Sequence, residues 1–281
     1  MVIALMTLYQ PEEDVLEHIA AVAEQVDLLY LCDNSKVASF ERFGSIPKTK
    51  YLFFNENRGL SKAFNSVLKS YPFSPEDYII FFDQDSTIHP GHIAALVEEY
   101  EALGKGGIPV GCIGPIYFER HRQQECLPKL KKKIDECNWF VPSLITSSMM
   151  CKYRTLQSID FWNEEVFLDL ADIELCWRVG KQKQVCVITH QAVLEHSLGN
   201  DYIQVASLTF GGQNPVRDYY QTRDVLYLLG KSYAKKRQFL SSLIKGPILR
   251  LLFLKERRKR LHMIIRGWMD WMAGKHGEFV A

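Results

Sequence analysis

The stretch Tyr78-Ile79-Ile80-Phe81-Phe82-Asp83-Gln84-Asp85 decides the fold prediction. Its unbroken apolar run is typical of a strand buried on both faces, as in parallel sheets. The run ends at two carboxylates two residues apart, which can hold a divalent cation together with water and phosphate oxygens. Hard oxygen ligands suit Mg²⁺ or Mn²⁺. An isolated Asp-x-Asp is more often an acidic turn that caps the next helix, so the rest of the chain must decide between the two interpretations.

Upstream of this stretch, strands and helices alternate, which predicts an α/β fold with a mostly parallel central sheet flanked by helices. In such sheets ligands bind beyond the carboxyl ends of the strands. Polar residues follow four of the predicted strands, and we expect them to form one pocket. The predicted strands are 2–9, 28–32, 50–54, 78–82 and 110–114, and the polar groups are Thr7-Leu8-Tyr9, Asp33-Asn34, 55–58 and Asp83-Gln84-Asp85.

The second half of the chain is less regular. The charged, aperiodic segment 117–137 predicts a mobile loop. Strand patterns follow at 139–150, 185–190 and 192–196, and helical periodicity is found at 168–179, 216–231 and 235–272. Within the predicted helix 168–179, Asp169 and Asp172 are three residues apart and would share a face at its amino end. His196 ends a predicted strand and could be a third metal ligand.

Composition excludes several functional classes. The 281 residues carry a net charge of +1, so no protein-wide field attracts nucleic acid. Seven cysteines without Cys-x-x-Cys spacing argue against a disulfide framework and a zinc site, and indicate a reducing compartment. The first residues lack the basic flank of a signal peptide, and no uncharged apolar run approaches a spanning helix. We therefore expect a cytoplasmic protein with no more than peripheral membrane contact.

Residues 229–281 form a basic tail, with 13 Lys and Arg against 3 Asp and Glu. Apolar residues recur at three- and four-residue steps from Ile248 to Met272, with clustered bases at 255–260. This pattern suits a helix lying in an anionic membrane interface. An amphipathic helix that packs on the rest of the chain, or on a second subunit, would show the same pattern.

Taken together, these segments resemble glycosyltransferase family 2 enzymes of the GT-A fold, specifically the bacterial rhamnosyltransferase-like branch. The resemblance rests on the order of several motifs along nearly the whole chain. These motifs are 4–9, 57–65, Asp83-Gln84-Asp85, 145–148, 169–178, 196–199, 217–223 and 266–277.

The resemblance implies a role for each site residue. Thr7, Tyr9, Asp33 and Asn57 would line the nucleoside pocket, with Asp33 accepting a hydrogen bond from the pyrimidine ring. Asp83 and Asp85 would hold ribose and the Mg²⁺ or Mn²⁺ ion, and His196 would join the metal ligands. Asp172 would be the catalytic base, an assignment that spacing alone cannot make over Asp169. Ser147, Arg217, Tyr220 and Arg223 would also contact the nucleotide sugar, the last three from a helix after a Gly211-Gly212 loop.

The implied activity is inverting, metal-dependent transfer of a sugar, with dTDP-L-rhamnose as the expected donor and a lipid-linked saccharide in cell-surface polysaccharide synthesis as the expected acceptor. Another donor, such as a UDP-hexose or UDP-galactofuranose, or a non-catalytic nucleotide-sugar-binding subunit, is the alternative. A nucleotidyltransferase is disfavoured because the first strand is not followed by a Gly-rich phosphate loop. Ser148 and Asp224 depart from the family pattern; Ser148 would place a side chain near the sugar or acceptor pocket, and Asp224 a negative charge beside Arg223.

The domain prediction is a GT-A catalytic domain over 1–228 and a basic amphipathic helical tail over 229–281. Within the catalytic domain, the nucleotide-sugar half would be about 1–115 and the acceptor half about 116–228. The expected location is peripheral, at the inner face of the cell membrane. No nucleic acid partner is expected, and a homo-oligomer is left open.

Overall fold

The alternating strands and helices of the first half fold as the sequence predicts. The computed structural model describes residues 1–119, 124–126, 128, 131–196, 203–205, 208–210, 214–234 and 246–280. In its first half the strands are β1 (Val2–Leu8), β2 (Leu28–Asp33), β3 (Thr49–Phe53), β4 (Tyr78–Asp83) and β5 (Val110–Glu119), and the helices are α1 (Val15–Gln25), α2 (Phe40–Phe43), α3 (Gly59–Leu68) and α4 (His92–Lys105).

The second half differs from the prediction in three places. The described part of 117–137, expected to be a loop, continues β5 and forms short edge strands. The predicted strand 139–150 is two strands, and the predicted pair 185–196 is one strand with a register shift between Thr189 and Val193. The strands are β6 (Gln124–Cys126), β7 (Lys132–Lys133), β8 (Asn138–Val141), β9 (Met149–Lys152), β10 (Val185–His196), β11 (Ile203–Val205) and β12 (Leu208–Phe210).

The helices of the second half lie before and after β10. They are α5 (Tyr153–Ser158), α6 (Ala171–Lys181), α7 (Val216–Leu229), α8 (the helical residues 246–253) and α9 (Arg257–Met272). The predicted helix 168–179 begins only at Ala171, so Asp169 precedes it. Helix α9 packs against α7, so this part of the predicted tail is joined to the body by helix packing. None of the described helices is long and apolar enough to cross a membrane.

Ten strands form the central sheet in the order β3-β2-β1-β4-β9-β5-β10-β8-β7, with β6 beside β5. The first four strands in this order run parallel, so β1, β2, β3 and β4 end at one edge. Strand β9 is antiparallel to both β4 and β5. The sheet is therefore mixed, with a parallel half formed by β1 to β4.

Two hydrophobic cores fill the space on either face of the sheet. Along β4, Ile79 and Phe81 belong to the core shared with α3, α5 and α6, whereas Ile80 and Phe82 belong to the core shared with α1 and α4. Successive side chains of a strand point to opposite faces. The next residue, Asp83, therefore points to the face that carries α3 and α6.

Candidate active site

The edge where β1 and β4 end forms the floor of the site. Thr7 of β1 is in register with Asp83 of β4. The backbone N–H of Tyr9 donates to Gln84 Oε1 at 2.8 Å, and Gln84 Nε2 donates back to the Tyr9 carbonyl at 3.3 Å. Tyr9 itself is exposed, as is Asp85. These bonds fix the two strand ends beside each other, so that Thr7 and Asp83 lie side by side.

The Asp83 carboxylate is held by Ser147, which is in turn bonded to Ser86. Ser147 Oγ donates to Asp83 Oδ2 at 2.9 Å and lies 2.7 Å from Ser86 Oγ. Both serines are buried. Since the Ser147 proton points to the carboxylate, Ser86 donates to Ser147. The structure therefore brings the predicted residue Ser147 to Asp83 and adds Ser86, which the sequence analysis did not single out.

Asp172 is the second residue of α6 and lies on the same side of the sheet as Asp83. Burial raises its pKa to about 7, and the nearby carboxylates of Asp83 and Asp169 add to the effect, against a lowering by the backbone N–H of Ile173. That N–H donates to Asp172 Oδ1 at 2.7 Å. Among the described residues, no lysine or arginine forms an ion pair with Asp172. A carboxylate with a pKa near neutrality can exchange a proton at physiological pH.

Asp169 has polar partners that Asp172 lacks. Its Oδ1 accepts a hydrogen bond from Arg217 Nη2 at 3.0 Å, and its Oδ2 accepts one from Gln221 Nε2 at 3.2 Å. Both donors belong to α7. Asp169 lies before α6, which Leu170 caps, but as predicted it is near Asp172, since its carboxylate helps to raise the pKa of Asp172. The two aspartates, which spacing alone could not distinguish, thus differ in their hydrogen-bond partners.

The segment that leads into α6 is fastened to α3 and α7. Asn65 of α3 donates to the Trp162 carbonyl at 2.9 Å and accepts from the Trp162 N–H at 3.1 Å. Asp224 of α7 accepts the N–H of Phe167 at 2.9 Å, and its other oxygen pairs with Arg223 Nε at 2.7 Å. The extra negative charge of Asp224 is therefore compensated, and its carboxylate helps to position the start of α6.

Gly59 shows how closely these segments approach. It opens α3 with φ +72°, and a Cβ there would lie 2.6 Å from the Phe167 carbonyl oxygen. The next N–H, that of Leu60, donates to that same oxygen at 3.3 Å. Asn57, predicted to line the nucleoside pocket, caps this turn by accepting the Gly59 N–H at 3.0 Å. Its half-buried side chain lies beside the ends of β2 and β3.

Asp33 points away from Asp83. By strand alternation it shares a face with Leu29 and Leu31, which pack on the α1 side of the sheet. Its carboxylate is fully buried, with one oxygen accepting the Tyr51 hydroxyl and the other the Ser35 N–H at 2.9 Å. Burial and the Asp33 carboxylate together raise the pKa of Tyr51 to about 12, so the Tyr51 hydroxyl keeps its proton.

The structure does not bring Tyr220 and Arg223 to the open part of the site. Tyr220 stacks on Phe167 with ring centroids 4.6 Å apart, and its hydroxyl accepts the Phe279 N–H at 2.8 Å. Arg223 is 1% exposed and donates to Asp224, Tyr219 and the Gly277 carbonyl. Both side chains hold the C-terminal residues against α7. Arg217, by contrast, is partly exposed.

Ser148, whose side chain was expected near the sugar or acceptor pocket, is fully buried and bonded to His92. Ser148 Oγ lies 2.6 Å from His92 Nε2, while His92 Nδ1 lies 3.1 Å from the Val193 carbonyl. Burial lowers the pKa of His92 to about 4. The neutral ring therefore donates to the carbonyl from Nδ1 and accepts the Ser148 proton at Nε2. Ser147 and Ser148 thus have different partners, Asp83 for the first and His92 for the second.

His196 ends β10, and its side chain lies outside the part of the chain that the structure describes; so do residues 197–199 and the Gly211-Gly212 loop. The preceding residue, Glu195, forms a bridge with Thr87, two residues beyond Asp85. The backbone therefore brings the end of β10 beside the Asp83-Gln84-Asp85 turn. Within the described residues no three His, Cys, Asp or Glu side chains form a cluster that could hold a metal ion.

Tyr117 is a neighbour of Asp172 that the sequence analysis missed. Burial, more than the nearby Asp172 carboxylate, raises the pKa of Tyr117, and its hydroxyl accepts the Ile145 N–H at 3.3 Å. The charge pattern of 117–137 predicts a mobile loop at this position. The apolar run Ile116-Tyr117-Phe118 could have indicated that β5 continues past Gly114.

A family comparison covers the first half of the chain, including the parallel edge and its Asp83-Gln84-Asp85 turn. The model of the family described as "Glycosyl transferase family 2" matches residues 4–159. The chain belongs to glycosyltransferase family 2. It is therefore a glycosyltransferase, as the sequence predicted.

Individual relatives agree with this membership. The chain is 25% identical over 242 residues to dTDP-rhamnosyl transferase RfbF of Shigella flexneri, covering 82% of this chain and 80% of that protein. It is thus similar to the rhamnosyltransferase-like branch, as predicted.

Solved structures confirm the GT-A fold. GalNAc-T7 with UDP, GalNAc and Mn²⁺ superposes with a TM-score of 0.56 at 8% identity over 97% of this chain, which spans only 56% of that one. TarS 1–349 of S. aureus superposes with a TM-score of 0.53 at 11% identity, covering 99% of this chain and 93% of that one. At such identities the likeness concerns the fold alone.

Proposed function

We propose that this enzyme transfers L-rhamnose from dTDP-L-rhamnose to a saccharide acceptor, with inversion at the anomeric carbon. The observation that carries the catalytic part is the state of Asp172: a carboxylate with a pKa near 7, close to Asp83, and without a cationic partner among the described residues. The donor is inferred from the similarity to a dTDP-rhamnosyl transferase. The acceptor is proposed to be lipid-linked, in cell-surface polysaccharide synthesis at the cytoplasmic face of the membrane.

The carboxylates of the site fit a divalent cation. Burial and the neighbouring carboxylates Asp83 and Asp169 raise the pKa of Asp172, which is the electrostatic setting that an added positive charge would relieve. Asp83 and Asp85 would supply the hard oxygen ligands that Mg²⁺ and Mn²⁺ prefer, and His196 would join them. When bound, the ion would stabilise negative charge on the departing diphosphate.

The residues of the chain would then divide the remaining tasks. Asp172 would accept the proton of the attacking hydroxyl, for which general-base catalysis is worth about 10² to 10⁴ in rate. Arg217, partly exposed at the start of α7, would place its charge near the diphosphate. Thr7, Tyr9 and Asn57 would contact the nucleoside. Asp33 would accept a pyrimidine N–H on a further lone pair, beside the hydrogen bonds that its two oxygens accept from Tyr51 and Ser35.

Tyr220 and Arg223 receive an indirect role in this proposal. Their contacts with Phe167, Tyr219 and Gly277 hold α7 in place, and α7 in turn presents Arg217 and Gln221 to Asp169. Substituting them would therefore lower stability before it altered donor affinity.

The test is release of nucleoside diphosphate from a panel of nucleotide sugars, with Mg²⁺ or Mn²⁺ and a saccharide acceptor. We expect dTDP release with dTDP-L-rhamnose, and loss of that release when the metal is chelated. Turnover with a UDP-hexose or UDP-galactofuranose alone would refute the donor assignment. Donor binding without turnover on any acceptor would indicate the non-catalytic alternative.

A further inference from the structure

Helix α9 exposes its apolar side and buries its polar side. The residues that it buries are Arg260, Gly267 and Asp270. Five apolar residues instead remain 45–68% exposed, and Leu261, Ile265, Trp268 and Met272 lie on one side of the helix, with Met269 next to them. At 3.6 residues per turn these four lie within an arc of about 60° on the side opposite the buried residues. We call them the α9 stripe.

The polar side of α9 is buried because it meets charges on α7. Arg260 Nη1 donates to Asp218 Oδ2 at 2.6 Å, and both residues are about 2% exposed or less. Asp270 accepts the Tyr219 hydroxyl at 3.0 Å. Gly267 lets the helices approach, since a Cβ there would lie 2.8 Å from the Tyr219 carbonyl oxygen. Helix α9 is thus docked on the body without using the α9 stripe.

Basic residues surround one end of the α9 stripe. Two open depressions of about 660 and 690 Å³ lie at the turn between α8 and α9 and share Lys255 and Lys259 in their linings. Arg257 and Arg258 line the first. On the helical projection these two arginines flank the α9 stripe. Exposed Leu252 and Phe253 precede the turn, so apolar and basic groups occur together here.

We propose that the α9 stripe and the basic α8–α9 turn dock on the surface of an anionic lipid bilayer. A bilayer interface offers hydrocarbon to Leu, Ile and Trp side chains and anionic headgroups to the bases beside them. A second copy of the chain does not offer both. Within 246–280 the exposed acids are Glu256, which pairs with Lys259, and Glu278, so two such faces would bring together bases with few acids to meet them.

The inference rests on the geometry of α9 and not on the proposed reaction. Its test uses the full chain and vesicles of phosphatidylcholine with or without phosphatidylglycerol, followed by sedimentation. We expect binding to the anionic vesicles only, weakened by added salt. The double variants Ile265→Glu/Trp268→Glu and Arg257→Glu/Arg258→Glu should each reduce that binding by at least about 10-fold.

The matched control is Leu16→Glu on α1, which is 45% exposed like Trp268 and should bind as the wild type does. The inference is overturned if the wild type does not bind anionic vesicles, or if the Ile265→Glu/Trp268→Glu variant binds them normally. It is also overturned if the wild type is a dimer that this variant dissociates, since the face then serves a second copy. Transfer to a soluble acceptor should be unchanged in all variants, which separates failure here from failure of the proposed function.

Discussion

Two groups of carboxylates in this molecule can be compared, those at the edge of the sheet and those in the packed pair α7–α9. They differ in which groups neutralise their charge. In the helical region Asp218 pairs with Arg250 and Arg260, and Asp224 pairs with Arg223. At the sheet edge Asp172 has backbone N–H groups as its donors, and its pKa rises to about 7. Asp218 and Asp224 are at most 2% exposed whereas Asp172 is half-buried, so lower exposure alone does not explain the raised pKa of Asp172.

The difference indicates what each region does. A buried carboxylate paired with an arginine holds two elements together. Removing one partner leaves the other charge buried and uncompensated, which lowers the stability of the folded state. A buried carboxylate without such a partner lowers stability when it ionises, and such groups concentrate at functional sites. The predictions below test whether the two regions separate in this way.

The largest expected effect on stability is in the helical region. Arg260→Ala removes one of the two arginines of Asp218 and should lower the free energy of unfolding by about 3–5 kcal/mol, measured by chemical denaturation. The control is Lys259→Ala on the same helix, whose partner Glu256 is exposed, and which should cost no more than about 1 kcal/mol. Equal costs for the two variants would show that the buried pair is not a structural tie.

The next largest loss of stability is expected for Gly59→Ala. The added Cβ would meet the Phe167 carbonyl oxygen at 2.6 Å, at a φ of +72° that other residues disfavour. We expect a loss of about 2–3 kcal/mol in unfolding free energy. Gly104→Ala in α4, where a Cβ meets nothing within 4 Å, is the control and should be neutral or slightly stabilising. A tolerated Gly59→Ala would mean that the contact between α3 and the segment before α6 can relax.

Asp172 should give stability an unusual pH dependence. Because its folded-state pKa of about 7 exceeds the unfolded value of about 4, the folded state binds more protons between these limits, so this residue's contribution falls as pH rises. The unfolding free energy of Asp172→Asn minus that of the wild type should therefore be about 1–3 kcal/mol higher at pH 8 than at pH 5. Denaturation of both proteins at the two pH values measures this. If the difference in unfolding free energy between the two proteins is the same at pH 5 and pH 8, the raised pKa of Asp172 is contradicted.

The smallest effect concerns Ser148, whose φ of +62° lies in the left-handed region. Ser148→Ala keeps that strain and leaves His92 Nε2 without its donor, at a cost of about 1–3 kcal/mol. Ser148→Gly loses the same hydrogen bond but relieves the strain, so it should be about 1 kcal/mol more stable than Ser148→Ala. Thermal or chemical unfolding ranks the two variants. The reverse order would show that the backbone of this turn is not strained.

The sequence predicted the parallel half well because each of its strands is an unbroken apolar run that ends in polar residues. It also predicted that Asp83 and Ser147 belong to one site, on the resemblance. It could not predict that Asp33 faces the other side of the sheet, since a strand buried on both faces shows no alternation in its sequence.

Long-range pairs explain the remaining differences. Whether α9 packs through its apolar or its polar side depends on Arg260 meeting Asp218, 42 positions away, and no local pattern reveals such a pair. Likewise Arg223 was expected near the diphosphate because its segment resembles one of the family, but its guanidinium donates to Asp224, Tyr219 and the Gly277 carbonyl. The start of α6 after Asp169 is set by contacts with Asn65 and Asp224, which again are distant in sequence.

The central claim, that Asp172 accepts the proton of the acceptor hydroxyl, is tested most directly by the rate of sugar transfer at saturating donor in Asp172→Asn beside Asp169→Asn. Asp169 already bonds Arg217 and Gln221, so its amide variant should retain much of the rate. The transfer rate of Asp172→Asn should be lower than that of the wild type by a factor of about 10² to 10⁴, while the variant remains folded. A folded Asp172→Asn that transfers at the wild-type rate, or an Asp169→Asn that loses more, would contradict the account.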